Sequence, residues 1–355
     1  MRDICAVTGF GLLASLALMT SACGPSAQNE GTLVAKASGA QIVFTAPPGG
    51  TAAQEVFTAN LDGSNRTQIT HDGLNKFLPH FSPDGSKLVY TKYIVGGYGD
   101  PTSKPVFAVY DLVTGKETVI ADGGTAAIAQ ASWSPDGKRI ATIELGVPHT
   151  GSEPAGSALT IMNADGSKPA KVGGPSGTPD DLYWSDIAWS PQDWILFVVG
   201  ENVNGCNKAR TDKIRPDGSA RTQVSDGGTD CTPPGGMNPY GDSDPGWSAD
   251  GLTIFSSRGM PPPPLLPAIR HAFAFSSEAW TSDKPETDLE AAEPTCAIAV
   301  PKGSPDGKRL LATRNCASDP SKYGVYVADV TAAAASNWRP VVVGAFGADW
   351  NPVAP

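Results

Sequence analysis

Short stretches of alternating apolar and polar residues recur along the chain, and each follows a turn of nearly constant sequence. The copies of the turn are FSPDG at 81–85, WSPDG at 133–137, WSPQD at 189–193, WSADG at 247–251 and GSPDG at 303–307. Segments such as KLVYT and RIATI come next, and their period of two is typical of β-strands. Since Pro, Asp and Gly favour tight turns, the pattern predicts repeated β-hairpins.

The spacing of these turns predicts a repeat architecture. Their first residues stand at positions 81, 133, 189, 247 and 303, and a partial copy, GADWNP, places Trp350 at the corresponding position. A period of this length indicates units that are too small to bury their own apolar faces and must stack against each other.

A second recurring turn completes each unit. It reads LDGSN at 61–65, ADGSK at 164–168 and PDGSA at 216–220, with a strand such as EVFTANL before it and a short strand such as RTQIT after it. Four strands per unit are typical of a β-propeller blade. We interpret the recurring aromatic residues Phe81, Trp133, Trp189 and Trp247 as contacts between blades.

The two ends of the chain fix the number of blades. The segment QIVFTA at 41–46 corresponds to the second strand of a unit, whereas 347–355 provides only a first strand. Joining them gives a sixth blade and removes an open sheet edge. We therefore predict an all-β, six-bladed β-propeller over 41–355, closed by the C-terminal strand in the N-terminal blade.

The motif [FW]-S-P-D-G, followed by an apolar strand and then DGS, resembles the TolB-like propeller repeat. This resemblance covers roughly residues 41–355 and implies the fold. TolB itself has an additional N-terminal α/β domain, for which the segment between Cys23 and the first predicted strand is too short. The resemblance therefore implies a bare propeller and carries no role in the Tol–Pal system.

Composition excludes several classes of partner. The 355-residue chain contains 40 Gly and 32 Pro, 40% of it is hydrophobic, and its net charge is −10. An acidic chain does not suit nucleic acid, which needs a basic face, or direct electrostatic binding to anionic lipid.

The N-terminus predicts export. Residues 1–22 contain Arg2 and an apolar stretch of signal-peptide length. The ending TSAC resembles the lipobox of bacterial lipoproteins, which implies lipidation of Cys23 and a membrane tether over 23–40; an ordinary signal peptide is the alternative. By resemblance to sorting rules, Gly24 favours the outer membrane. The expected location is the periplasm or the cell surface, with the lipid as the only membrane contact.

The remaining cysteines predict two disulfides. Cys296 and Cys316 lie at equal distances from the SPDG turn, and Cys206 and Cys231 lie at equal distances from the PDGS turn. Residues equally distant from a hairpin turn face each other across two strands. We therefore predict Cys206–Cys231 and Cys296–Cys316, rather than a zinc site, for which the C-x-x-C spacing is absent.

Residues for catalysis are sparse. The sequence has four His and no G-x-S-x-G motif, so we predict no peptidase activity. His80 precedes a blade turn, and the other His fall in predicted loops. A candidate ligand or ion face combines His80 with acidic residues that fall shortly before the first strands of two adjacent blades, namely Asp180, Asp181, Asp186, Asp242 and Asp244. These carboxylates could bind Ca²⁺, although we expect no metal or other cofactor.

The sequence favours a non-enzymatic, monomeric envelope lipoprotein whose propeller binds a protein or peptide. Four consecutive prolines within 259–269 predict a stiff arm or surface excursion. The alternatives are a metal-dependent, glycan-active enzyme similar to the polysaccharide lyases, and a purely structural scaffold.

Overall fold

A computed structural model describes the chain from Gly39 to Ala354 with several gaps. The described residues are 39–49, 52–97, 100, 102–124, 128–145, 157–174, 183–203, 206–228, 241–260, 269–289, 296–316, 319–331 and 334–354. The predicted signal peptide, Cys23 and most of the tether lie outside these ranges, as does most of the proline-rich segment. No helix among the described residues is long and apolar enough to cross a membrane.

The first three strands and the last strand form one sheet. The first three are β1 (Ile42–Ala46), β2 (Glu55–Ala59) and β3 (Thr67–Gln68). The other strands form five sheets of four, which we call blades 1 to 5 in chain order. Blade 1 contains β4 (Asn75–Phe81), β5 (Lys87–Val95), β6 (Lys104–Asp111) and β7 (Lys116–Asp122). Blade 2 contains β8 (Ile128–Trp133), β9 (Arg139–Leu145), β10 (Ala158–Asn163) and β11 (Ala170–Gly173).

Blades 3 to 5 follow the same order. Blade 3 contains β12 (Tyr183–Trp189), β13 (Ile195–Val203), β14 (Cys206–Ile214) and β15 (Thr222–Gln223). Blade 4 contains β16 (Asp242–Trp247), β17 (Thr253–Met260), β18 (Ile269–Ser276) and β19 (Glu286–Asp288). Blade 5 contains β20 (Cys296–Gly303), β21 (Arg309–Cys316), β22 (Gly324–Val330) and β23 (Ala335–Val343), with a short 3-10 helix at Pro320–Lys322.

The sixth blade confirms the predicted closure. The last strand, β24 (Phe346–Trp350), pairs with β1 in the order β24-β1-β2-β3, so that both ends of the chain share blade 6. Around the axis, the first strand of each blade contacts the first strands of the two neighbouring blades. The chain therefore forms an all-β, six-bladed propeller of four-stranded antiparallel blades.

The recurring turn joins the first two strands of a blade, as predicted. In blade 1, the Ser82 hydroxyl donates to Asp84 Oδ1 (2.6 Å) and accepts from the Lys87 backbone N–H (2.9 Å). Gly85 closes the turn with a φ of 70°, in the left-handed region that favours glycine. The same serine–aspartate pair recurs at Ser134, Ser248 and Ser304. The constant sequence is thus a structural requirement of each hairpin.

Apolar clusters between adjacent blades hold the propeller together. For example, Ala188 and Leu196 of blade 3 pack with Ile254 and Phe275 of blade 4. A disulfide joins Cys296 to Cys316, which lie opposite each other in the β20–β21 ladder, and this confirms one predicted pair. The other pair lies outside the described residues, because only the backbone of Cys206 is described and Cys231 is not.

Candidate functional site

A cavity lies on the propeller axis at the end where the recurring turns are found; we call it the funnel. Its volume is about 390 Å³. Each blade supplies the residue just before the recurring aromatic position, because all six first strands reach this end in the same register. These six residues are His80, Ser132, Ala188, Gly246, Lys302 and Asp349. The walls are aromatic and proline side chains from the turns. Apolar walls around a few polar groups are typical of binding sites.

The aromatic residues also lock neighbouring blades together, as we predicted for the tryptophans. Trp247 Nε1 of blade 4 donates to the carbonyl of Ala188 in blade 3 (3.1 Å). Trp350 Nε1 of blade 6 donates in the same way to the carbonyl of Lys302 in blade 5 (2.9 Å). These rings therefore hold the funnel wall in place. Blade 5 has no such ring, because Gly303 stands at this position.

Deeper in the channel, five of the six first strands contain a β-bulge at the same position, three residues before the aromatic. The bulged residues have positive φ values of 48–60° and are Leu78, Asp186, Asp244, Val300 and Gly347. In blade 2 the position is Gln130, and β8 pairs with β9 without a register shift. Bulges often redirect side chains near binding sites. We call these six residues the bulge layer.

Two carboxylates of the bulge layer form an interacting pair in the channel. Asp186 is 7% exposed, hydrogen-bonds to the side chain of Gln130 and accepts from Ser185 Oγ (3.2 Å). Asp244 accepts from Ser243 Oγ and from Ser257 Oγ at 3.0 Å each. Burial, together with the negative charge of Asp244, raises the pKa of Asp186 to about 7. The Asp186 carboxyl is therefore protonated under mildly acidic conditions.

The floor of the funnel carries charges of both signs. His80 Nδ1 lies 3.1 Å from Asp349 Oδ2, a contact between blades 1 and 6. Lys302 Nζ donates to the Pro245 carbonyl (3.3 Å). Burial lowers the pKa of Lys302, although Asp349 and the two carboxylates of the bulge layer favour its charged form. These groups can offer both donors and acceptors to a bound ligand.

The predicted acidic face is divided among several environments. Asp186 and Asp244 lie inside first strands rather than in the loops before them, which corrects our placement. Asp242 is also inside its strand, where it binds Arg258 Nε (2.7 Å) and Thr211 Oγ1 (2.9 Å) away from the funnel. Asp180 and Asp181 lie outside the described residues.

The prediction that the other histidines occupy loops was wrong for one of them. His271 lies inside β18, is 4% exposed and contacts Asp288 through Nδ1 (2.8 Å). Within the described ranges, no group of three or more His, Cys, Asp or Glu side chains is arranged to hold a metal ion. Asp349 and Lys302 were not among our candidates. The repeat alignment could have indicated both, because each precedes the recurring aromatic position.

The comparisons agree with this architecture. No family model matches the chain. A TolB homologue of Chlorobium chlorochromatii is 35% identical over 86 residues, which are 24% of this chain and 18% of the relative. The match thus spans less than a fifth of the relative's length.

Solved structures extend the likeness to the whole propeller. TolB from Acinetobacter baumannii superposes with a TM-score of 0.63 at 14% identity, over 88% of this chain and 66% of that protein. A TolB candidate from Agrobacterium tumefaciens gives 0.54 at 15% identity, over 87% and 90% of the two chains. The chain is therefore a six-bladed β-propeller with TolB-like homologues.

Proposed function

We propose that this protein is a non-enzymatic cell-envelope protein whose funnel binds a protein or peptide partner. The observation that carries the proposal is the preformed funnel, in which rigid aromatic and proline walls surround the polar side chains of His80, Lys302 and Asp349. A rigid site binds a peptide without the entropic cost of ordering its own loops. A six-bladed ring also presents its turns around one opening, which suits recognition of a protruding segment.

The His80–Asp349 pair supports recognition better than catalysis. A His–Asp pair becomes catalytic when it activates a nucleophile or orients a metal ligand. The hydroxyl in the neighbouring blade, Ser132 Oγ, accepts a hydrogen bond from the Trp189 backbone N–H (3.0 Å), which anchors it to blade 3. We therefore assign His80 and Asp349 to hydrogen bonding with a ligand.

The envelope location rests on the N-terminal sequence and is supported by the Cys296–Cys316 disulfide, because disulfides persist in oxidising compartments. We propose that residues 1–22 are a signal peptide, that Cys23 carries the lipid and that 23–40 form the tether. The membrane contact would then be the lipid alone, with the outer membrane favoured. We also propose that the propeller is a monomer.

Crosslinking and capture from intact envelopes test this function. Pro135, an exposed proline of the funnel wall, is replaced in Pro135→Trp, which narrows the opening. Val119→Trp is the matched control, because it adds the same ring at a half-exposed position on an outer strand. We expect one protein to be captured by wild type and by the control but lost with Pro135→Trp. Capture that is equal in all three would reject the funnel as the binding site.

Two further measurements test the anchor and the enzymatic alternative. Cys23→Ser should release the protein from the membrane fraction if Cys23 is lipidated.

The enzymatic alternative is tested by an activity assay. Turnover of an acidic glycan such as polygalacturonate, with added divalent cations, should be absent. Turnover that is lost on His80→Ala would replace the binding proposal with an enzymatic one.

A further inference from the structure

We infer that a groove between blades 4 and 5 extends the funnel and holds an extended, positively charged peptide segment of the partner. This inference rests on the proposed binding function and adds the path and the chemistry of the ligand. The groove has a volume of about 750 Å³ and runs from the turns of the two blades to their outer strands.

The groove and the funnel form one continuous surface. Ser248, Ala249 and Pro305 line both of them, so that the turns of blades 4 and 5 form the passage from one to the other. A chain lying in the groove can therefore reach the charged floor of the funnel without crossing a blade.

The groove lies where the sequences of two repeats differ from those of the others. Blade 4 carries Ala249 at the turn position where the other turns carry proline, and blade 5 carries Gly303 at the aromatic position. A Cβ atom on Gly303 would lie 2.8 Å from Cε2 of Phe255, so the ring of Phe255 occupies the space next to this glycine. The hydrogen bond from Trp247 Nε1 that joins blade 4 to blade 3 therefore has no counterpart between blades 4 and 5.

The groove offers apolar surface to a ligand. Its lining includes Ala274 of blade 4 and Val330 of blade 5, which are half-buried, together with the ring of Phe255. Leu252 also lines the groove and is 65% exposed, which is unusual for a leucine next to a cavity. An extended peptide presents alternate side chains to such a surface.

The charge of the groove selects a basic peptide. Asp250 of blade 4 and Asp306 of blade 5 line it, whereas no lysine or arginine is among its described lining residues. Hydrogen bonds from the Ser248 and Ser304 hydroxyls lower the pKa of these two carboxyls, which keeps both charged at neutral pH. Arg309 contacts Asp306 at 3.4 Å and offsets part of this charge. The net charge of −10 strengthens the attraction of a cationic segment.

Fluorescence anisotropy with defined peptides tests the inference on the full-length protein. The probe is a labelled peptide of about eight residues that alternates Leu and Lys, long enough to span roughly 26 Å when extended. Comparison peptides alternate Leu and Glu, or Ser and Lys. The charge variant is Asp250→Asn/Asp306→Asn, because asparagine keeps the oxygen that accepts the serine hydroxyl. Its matched control is Asp84→Asn/Asp136→Asn, in the same turn of blades 1 and 2.

We expect the Leu/Lys peptide to bind most tightly and its affinity to fall about fivefold in the groove charge variant, with little change in the control. Leu252→Lys, at an exposed position, should weaken binding further by placing a positive charge in the groove. Equal losses in both aspartate pairs would show only general attraction to an acidic protein and would overturn the inference. Equal affinity for the Leu/Lys and Leu/Glu peptides would also overturn it.

The protein captured from envelopes separates this inference from the proposed function. If its binding is lost with Pro135→Trp but unchanged by the groove variants, the funnel binds the partner and the groove does not. If both sets of variants bind as wild type does, both proposals fail. Loss with both sets of variants, with the Asp84/Asp136 control unaffected, supports the continuous path.

Discussion

A single buried carboxyl, Asp186, gives the channel its pH dependence. Its pKa is about 7 in the folded protein because of burial and of Asp244, compared with an ordinary value of 3.8. Between these two pH values the folded state binds more protons than the unfolded state, so the free energy of unfolding falls as pH rises. The carboxyls of Asp72 and Asp111, with pKa values of about 2, act in the opposite direction only at lower pH.

Asp186→Asn should abolish this dependence. Asparagine resembles the protonated acid and tolerates the positive φ of 48° at this position. Above about pH 7 we expect the variant to be more stable than wild type by roughly 2–4 kcal/mol. Urea unfolding between about pH 5 and pH 8 measures the free energy of unfolding of both proteins. Asp165→Asn, in an exposed turn, is the control, and identical pH slopes in wild type and Asp186→Asn would contradict the assignment.

At the scale of the strand and the hairpin, the recurring turn depends on its buried serine. Ser82 and Ser86 of one turn both donate to Asp84 Oδ1, but only Ser82 is buried and also accepts the Lys87 backbone N–H. Ser82→Ala should therefore cost about 1–3 kcal/mol, because it leaves a backbone donor without its acceptor. Ser86→Ala should cost less than about 0.5 kcal/mol. Equal losses in thermal unfolding would show that the buried acceptor is unimportant.

The sequence predicted these hairpins because the same residues must recur wherever the same turn recurs. It did not predict the bulge layer, since Leu78, Asp186 and Val300 have no chemical property in common. A bulge is a feature of register, and the backbone conformation at Val300 is unfavourable for a β-branched residue, so packing with the neighbouring strands must impose it. Only the position in the repeat, counted from the aromatic residue, identifies the bulged residue.

The buried ion pairs could not be predicted from the sequence for a related reason. Lys76 of blade 1 and Asp242 of blade 4 occupy the same position, five residues before the aromatic, and both are buried in ion pairs. Their partners differ: Lys76 binds Glu55 of the preceding blade, whereas Asp242 binds Arg258 of its own blade. Because the same position holds opposite charges, these pairs can be identified from the fold but not from the repeat.

At the scale of the whole molecule, the propeller is a ring that is closed but not uniform. Five interfaces between blades have an aromatic residue at the recurring position, and the interface between blades 4 and 5 has Gly303. The groove at this interface leads into the funnel, so the funnel is open toward one side of the ring and not equally toward all six interfaces. A peptide that followed this path would contact blades 4 and 5 more than blades 1 and 2.

The closing strand should control the stability of the entire ring. The strand β24 pairs with β1 in a ladder. In addition, Trp350 Nε1 donates to the Lys302 carbonyl of blade 5, and Asn351 Nδ2 donates to the Ala40 carbonyl (2.8 Å). A chain ending at Val343 would expose the edge of β1 and open the ring between blades 5 and 6. We expect it to lose cooperative unfolding and to aggregate, because an unpaired edge recruits other strands.

Adding the missing strand as a separate peptide tests whether closure itself is responsible. A synthetic peptide of residues 344–355 should restore a cooperative transition in differential scanning calorimetry, and a scrambled peptide of the same composition should not. A chain ending at Pro352, which retains β24 and Asn351, is the control for shortening. If the chain ending at Val343 unfolds within about 2 °C of wild type, closure by β24 contributes little. In that case the packing between blades, rather than the shared sixth blade, holds the ring together.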